Sequence, residues 1–389
     1  MTQDSVNEIE KSNVDELRRR MKDLMNREMY DDDNLFQRFL RARNQNLDLA
    51  EQMLKNHLRW RKMHRVDTIK QDFKPLEVML EYDGMSHIGF DKEGAPVIYC
   101  AFGKMDFRGA YRCVNMSDLY KFILYKLEHF VDLLKEQSKK LGKPVTQWVM
   151  IFDYESFTFA NATFKPVIHY LVGLMSMYEG NYPERLKSAH LINGSMIFSI
   201  CFAMFKPFFT GNTLSKVNYY GSDFQDDLLK TIDADQLPAF LGGIRKDPDG
   251  NPRCLKTIKH GGVIPEKYYV TGRNRKMSVI PGAKMLIIAR RAKASVEVEV
   301  KRPGANLEWR YTIRNRTIDF SVFYKECKWN EDELEEVIPK QRVETVVSSE
   351  FGMCLCEKAG TYILEFDNSF SWLYGKSLSY SVTVTNPLN

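Results

Sequence analysis

The chain has no long apolar run. Nowhere in its 389 residues does a stretch approach the ~20 apolar residues that cross a bilayer. Its opening residues, Met1–Lys11, are polar and acidic and lack the apolar centre of a signal peptide. Any membrane contact is therefore expected to be peripheral and transient. Cysteine supplies no framework. The seven, Cys100, Cys113, Cys201, Cys254, Cys327, Cys354 and Cys356, are odd in number and irregular in spacing. Only Cys354 and Cys356 lie close, and one intervening residue is not zinc spacing. Thiols within apolar runs pack as small hydrophobes, and the pattern points to a reducing compartment, the cytoplasm.

Catalytic signatures are also missing. There is no Gly-x-x-x-x-Gly-Lys-Ser/Thr to cradle phosphates and no Gly-x-Ser-x-Gly to present a nucleophile. The nearest string, Gly84-Met85-Ser86-His87-Ile88-Gly89, has the wrong spacing and reads as a turn before the next strand. The seven histidines form no His-x-x-x-His pair, and His57 and His190 read as packed residues of a helix and a strand. Asp153 ends an apolar strand, where α/β enzymes often place a carboxylate. It reads instead as a cap for the following loop. These absences favour a protein that is not an enzyme, with no catalytic residue, metal or cofactor. The formal net charge of +5 is mild. It assists approach to an anionic membrane surface and does not argue for nucleic acid.

What is present is ordinary globular composition, 44% apolar and 28% charged. Residues 1–70 read as helical. Asp31, Asp32 and Asp33 offer a cap and negative charge at a helix start, ahead of an apolar face of Leu35, Phe36, Phe39 and Leu40. Ala50, Met53, Leu54, His57 and Leu58 repeat at helical spacing. From about residue 96 strands and helices alternate. Strands are expected at 96–102, 147–153, 186–193 and 217–220, and helices at 117–137, 161–178, 196–209 and 223–232. Strict alternation argues for a largely parallel α/β sheet. Asp247-Pro248-Asp249-Gly250-Asn251-Pro252 is turn chemistry and opens a Gly-, Pro- and Lys-rich linker. From about residue 277 the period is two, as in Val296, Val298 and Val300, or Leu307, Trp309, Tyr311 and Ile313, which makes a β-sandwich.

One segment stands apart. Met196–Phe205 carries no charge and ends in Lys206-Pro207-Phe208-Phe209. A helix apolar all round is either wholly buried or faces a second apolar phase, so the pattern leaves a core helix and a lid both open. Exposing Phe198, Phe202, Phe205, Phe208 and Phe209 to water would cost roughly 8–15 kcal/mol, comparable to the whole stability of a domain. Such a lid would open only against a bilayer.

Five motifs fall in one order: Phe39-Leu40-Arg41-Ala42-Arg43, Asn181-Tyr182-Pro183-Glu184, Phe205-Lys206-Pro207-Phe208, Leu214-Ser215-Lys216-Val217 and Leu237-Pro238-x-x-x-Gly242-Gly243. In that order they resemble CRAL-TRIO lipid-transfer proteins. Trp309-Arg310-Tyr311, Ile318–Phe323, Ala359–Tyr362 and Phe366–Ser371 resemble a GOLD domain. The two together resemble the supernatant protein factor (tocopherol-associated protein) subgroup. The resemblance implies an N-terminal helical region at 1–70, a CRAL-TRIO α/β lipid-binding domain at 71–246, a linker at 247–276 and an all-β GOLD sandwich at 277–389. It also implies a pocket closed by a gate helix, which falls on Met196, Ile197, Phe198, Ile200, Phe202, Phe205, Phe208 and Phe209. In phosphatidylinositol-binding members the polar headgroup residues match Arg43, Glu184, Thr213 and Lys216 here. Arg43 and Lys216 can meet a phosphate, and Glu184 and Thr213 can hydrogen-bond inositol hydroxyls. The residues alone leave other roles open: a helix-end cap for Arg43, a surface ion pair for Glu184 and a solvated strand start for Lys216.

Two departures bear on the ligand. The family often has Asn-Ala-Pro before the gate, where this chain has Asn193-Gly194-Ser195. Many members have an acidic residue and an aromatic before the Gly-Gly pair, where this chain has Phe240 and Leu241. A more apolar pocket would suit a neutral isoprenoid such as tocopherol or squalene. Between Thr271 and Lys293, Arg273, Arg275, Lys276, Arg290 and Arg291 stand without an acidic residue. They are either a solvated face or contacts to anionic headgroups. The expected function is a soluble carrier of one lipid, phosphatidylinositol or another phospholipid or an isoprenoid, with the membrane surface as partner. The alternative is a trafficking adaptor whose GOLD domain binds a protein.

Overall fold

A computed structural model describes residues 3–158, 165–194, 206, 211–269, 282–313, 317–326, 334–345 and 350–385. The chain divides into two units, Met1–Arg108 with Lys121–Ile264, and Gly109–Tyr120 with Pro265–Asn389.

The first unit opens with α1 (Gln3–Met21), α2 (Arg27–Tyr30), α3 (Asp33–Arg41) and α4 (Leu47–Met63). Asp32 starts α3, its carboxylate accepting from Asn34 N at 3.0 Å. Asn46 starts α4 in the same way, accepting from Leu49 N at 3.0 Å. The faces that helical spacing selects meet in one buried cluster. Val14, Leu17 and Met21 of α1 pack on Leu35, Phe36, Phe39 and Leu40 of α3 and on Ala50, Met53 and Leu54 of α4.

After α5 (Ile69–Asp72) and α6 (Glu77–Glu81) the sheet begins. Its order is β1 (Met85–Phe90), β2 (Pro96–Cys100), β3 (Trp148–Asp153), β4 (Leu186–Ile192) and β5 (Val217–Tyr219). β1 is antiparallel to β2 and the others run parallel. Every residue of β2 is buried, as befits a strand covered on both faces. Between and after these strands the chain forms α7 (Phe107–Cys113), which falls mostly in the second unit, α8 (Met116–Leu141), which belongs to the first from Lys121 onward, α9 (Lys165–Asn181), α10 (Gly211–Ser215) and, after β5, α11 (Gln225–Thr231). The string Gly84–Gly89, expected as a turn, runs into β1. Its turn-like composition has a local cause: the register against β2 slips between His87 and Gly89, and Gly89 lies at φ +147°, with Gln236 O 2.6 Å from where a Cβ would stand.

One face of the sheet, including Val97, Tyr99, Val149, Ile151 and Ile192, packs on Phe224, Leu228, Ile232, Leu237 and Leu241 and on Cys254 and Ile258. The last two belong to the segment expected as a linker. Asp247 ties that segment down, accepting from Lys256 N at 2.8 Å and Thr257 Oγ1 at 2.7 Å. Its turn chemistry thus closes a loop onto the first unit, which extends to Ile264. The Gly-Gly pair that ends the motifs has two separate reasons. Gly242 sits in the left-handed region at φ +96°, and a Cβ on Gly243 would lie 1.9 Å from Leu237 O.

Three helical elements are joined by a buried carboxylate. Glu128 of α8 accepts from Tyr182 Oη at 2.7 Å, just past the end of α9, and from Arg61 of α4 at 3.1 and 3.3 Å. Nearby, His57 of α4 is buried beside Phe39 and Trp60, as the sequence suggested. Its Nδ1 lies 3.2 Å from Asn181 Oδ1. The Asn181 amide nitrogen is already spent on Met177 O at 3.0 Å, so the neutral ring carries its proton on Nδ1.

The second unit contains two antiparallel four-stranded sheets. One is β10 (Glu335–Glu344), β9 (Thr317–Lys325), β12 (Gly360–Asp367) and β7 (Lys293–Val300). The other is β11 (Glu350–Cys356), β8 (Ala305–Ile313), β13 (Lys376–Thr385) and β6 (Lys284–Ile288). Period two is realised: Leu307, Trp309, Tyr311 and Ile313 all point into the core. Rings meet between the sheets, with Tyr311 of β8 5.1 Å from both Phe320 of β9 and Phe366 of β12. The expected β-sandwich is what forms. The five cysteines among the described residues are free and buried.

Gly243→Ala should cost about 1–3 kcal/mol because the methyl group meets backbone. Gly173→Ala, in α9 with nothing within 4 Å of an added Cβ, should stabilise by about 0.5–1 kcal/mol. Urea unfolding of the full chain reads both signs. The pH dependence follows from His57, whose pKa burial pushes down to about 3. An unfolded histidine titrates near ~6.5, so between these values the unfolded chain takes the extra proton. The His57 contribution is whole above pH ~6.5 and declines as pH falls, by at most about 1.4 kcal/mol per pH unit. His57→Gln should flatten that acid limb of an unfolding series by the same amount.

Candidate functional site

α3 ends in a sharp reversal. Ala42 caps it, and Asn44 and Gln45 take left-handed backbone at φ 50° and 63°. Gln45 N donates back to Leu40 O at 2.8 Å, closing the helix end. Arg41 and Arg43 are thereby presented at the rim. A second turn, Tyr182–Arg185, links α9 to β4. Tyr182 and Pro183 are buried, and Gln147 Nε2 donates to Glu184 O at 3.1 Å and Leu186 O at 3.3 Å. Glu184 also sits in the left-handed region, at φ 56°. The third piece is α10 and the start of β5, where Ala189 N donates to Lys216 O at 2.9 Å and so fixes Lys216 beside β4.

These three pieces enclose a cavity of 350 Å³, at the lower end of the ~300–1,000 Å³ of small-molecule sites. Arg43, Glu184, Thr213 and Lys216 all line it. Lys216 Nζ donates to Glu184 Oε2 at 2.9 Å across the cavity wall, with both side chains largely shielded from solvent. Arg43 Nη1 donates to Ala42 O at 2.9 Å. Two further wall residues escaped the sequence reading. Asn212 donates its amide to the second Glu184 oxygen. Arg41 is held by Glu10 in a forked pair at 2.6 and 2.9 Å. Arg41 stands in the same motif as Arg43 and Asn212 is next to Thr213, but only the fold shows that both face the cavity.

The surroundings are cationic. Arg41, Arg43 and Lys216 outnumber the two lining carboxylates, Glu179 and Glu184. Behind the Tyr182–Arg185 turn lie two deeply set guanidiniums. Arg38 Nη1 donates to Pro183 O at 3.3 Å and Arg185 Nη1 to Thr146 O at 2.9 Å. The Nε of each has no hydrogen-bond partner among the described residues. Burial pushes both pKa values down, and the charge of Arg185 pushes that of Arg38 down further. A positive field of this kind favours an anionic group in the cavity.

The two departures near the Gly-Gly pair and the gate have packing explanations. Phe240 packs edge-on against Tyr99 at 5.3 Å and on His260 at 5.1 Å, and Leu241 is buried in the sheet core. Neither lines the cavity. Gly194 leaves room for the Tyr219 ring, which lies 2.3 Å from where a Cβ would stand. Asp153 caps the next loop as expected, its Oδ1 accepting from Glu155 N at 2.9 Å. Its other oxygen accepts from Tyr99 Oη at 2.8 Å. Among the described residues no group of His, Cys, Asp and Glu is arranged to hold a metal.

The gate residues Met196, Ile197, Phe198, Ile200, Phe202, Phe205, Phe208 and Phe209 lie outside the described residues, as do Arg273, Arg275 and Lys276. Arg290 and Arg291 are described and exposed, in the turn between β6 and β7. No helix among the described residues is long and apolar enough to cross a membrane.

Comparison with known proteins fits this architecture. Residues 80–243 match the CRAL/TRIO domain. "Protein ctg-1" of Caenorhabditis elegans is 28% identical over 351 residues, 89% of this chain and 90% of that protein. "Protein real-time" of Aedes aegypti is 30% identical over 238 residues, 60% of this chain but 35% of that longer protein. Among solved structures, that of Sfh5 superposes with a TM-score of 0.53 at 17% identity, covering 67% of this chain and 95% of the other, and so shares its fold. Residues 80–243, the part of the chain that holds the mostly parallel sheet and most of the cavity wall, thus carry the match to the CRAL/TRIO domain, and an antiparallel β-sandwich follows them in sequence.

Proposed function

We propose that the chain is a carrier that holds one lipid at a time and gives it up or presents it at a membrane surface, and that its cavity takes a phosphorylated headgroup of the phosphatidylinositol class. One observation carries this reading. Arg43, Glu184, Thr213 and Lys216 come from three separate stretches of sequence, yet all four line one 350 Å³ cavity. A phosphate entering it would draw Lys216 away from Glu184 and take Arg43 as a second donor, replacing one charge-assisted bond with two. Glu184, freed, would accept from inositol hydroxyls beside Thr213. The deep-set Arg38 and Arg185 would add attraction without direct contact. In this reading the apolar segment 196–209 closes over the lipid tails, and the sandwich is of the GOLD type that its sequence resembles.

Mass spectrometry of lipid extracted from the purified protein tests the reading directly, and a phosphoinositide should be recovered. Lys216→Ala combined with Arg43→Ala should reduce phosphatidylinositol binding by about 10–100-fold, the worth of the one net hydrogen bond to a charged group that the headgroup gains. Binding of a neutral lipid should be kept. Protein that purifies without lipid and moves none between vesicles would refute the carrier. Unchanged phosphatidylinositol binding in the double variant would refute the headgroup assignment alone.

A further inference from the structure

The turn between β12 and β13 shows an unusual surface. Trp372, Leu373 and Tyr374 follow one another and are 69%, 74% and 52% exposed. Large apolar side chains exposed in a row mark an interaction site more often than a bare surface. The backbone beneath them is held firmly. Asn368, fully buried, donates its amide to Ala289 O at 2.9 Å and to Tyr374 O at 3.1 Å. Ser371 Oγ donates to Tyr374 O at 3.0 Å. Asn368 N donates to Ala292 O at 2.9 Å and Arg291 N to Ser371 O at 3.1 Å. The 368–375 turn and the 289–292 turn are therefore one platform at one end of the sandwich.

The exposed charge described on that platform is basic. Arg291 lies over the Trp372 ring at 4.2 Å, and Arg290 beside it is exposed. Two acids at this end, Asp367 and Asp319, are already paired. Lys293, Asp367, Asp319 and Arg342 stand directly opposite one another across β7, β12, β9 and β10. Lys340 holds the buried Asp367 carboxylate at 2.8 Å, and Arg342 holds Asp319 at 2.7 and 2.9 Å. What remains facing outward among the described residues is an indole, a leucine and a phenol beside two exposed arginines. Indole and phenol rings settle at the headgroup level of a bilayer, with an aliphatic residue beneath them, and guanidiniums bind phosphate and carboxylate headgroups.

We infer that this aromatic and basic tip, Arg290 and Arg291 with Trp372, Leu373 and Tyr374, docks the sandwich onto an anionic bilayer surface. The inference stands on the sandwich alone and does not depend on which lipid the cavity takes. Each arginine near an anionic surface is worth about a fivefold gain in affinity, and each buried large apolar side chain about tenfold or more.

The test is sedimentation of the full chain with phosphatidylcholine vesicles, with and without phosphatidylserine. Wild type should bind the anionic vesicles more tightly, and added salt should weaken that binding. Trp372→Ala with Leu373→Ala should lower affinity about a hundredfold, and Arg290→Ala with Arg291→Ala about twentyfold. Both variants should keep the wild-type melting temperature, because these side chains are exposed. Bromine-labelled lipids should quench tryptophan fluorescence in wild type, and Trp372→Phe should abolish most of that quenching while the protein still binds. Wild-type vesicle affinity in both double variants would overturn the inference, as would quenching that survives Trp372→Phe. Equal binding to neutral and anionic vesicles would also overturn it. Loss of a protein partner from the double variants with vesicle binding intact would assign the tip to protein recognition instead.

Discussion

The candidate site depends on the buried carboxylate of Glu128. Alone in the interior this group would be costly, because desolvation of an unpaired charge amounts to several kcal/mol. It is tolerated because Arg61 and Tyr182 both satisfy it. Those two partners come from different parts of the chain, so the requirement to satisfy one carboxylate fixes where α4, α8 and the end of α9 can lie. Tyr182 is two residues before Glu184. The cavity wall is therefore registered against the helical region through a hydrogen bond that contains none of the lining charges. Arg61 is itself shared with Asp67 at 2.6 Å, which makes the arrangement a network whose members cannot be removed singly without exposing the others.

Much of this was legible in sequence because it rests on local rules. The faces of α3 and α4, the Asp32 cap, the alternation of strand and helix and the period of two in the sandwich each involve neighbours within a turn or a strand, and each appears where spacing puts it. The Gly242-Gly243 pair was legible as a motif, and its reasons, a left-handed backbone and a crowded carbonyl, appeared only with coordinates. Glycines also misled. In Gly84–Gly89 they allow an irregular strand rather than a turn. In 247–264 the Gly and Pro content reads as a linker, while Asp247, Cys254 and Ile258 fasten the segment to the sheet.

The remainder was illegible because it lies in tertiary placement. Nothing near Arg41 announces that Glu10 will hold it, and nothing near Asn212 announces Glu184. Arg38 reads as one more charged residue on an amphipathic helix, although its surroundings bury it. The exposure of Trp372 is also non-local. A Trp-Leu-Tyr run would normally be assigned to a core, and it stays outside because Asn368 locks the turn from beneath.

The backbone at Glu184 has a consequence for how this surface can change. A glutamate in the left-handed region carries strain of order 1 kcal/mol or more, which glycine would not feel and asparagine would feel less. Backbone comfort and side-chain bonding therefore point in opposite directions at this position. The strain is offset by the bonds that Lys216 and Asn212 make to the same carboxylate, so a glycine here would relax the backbone and leave Lys216 without its partner.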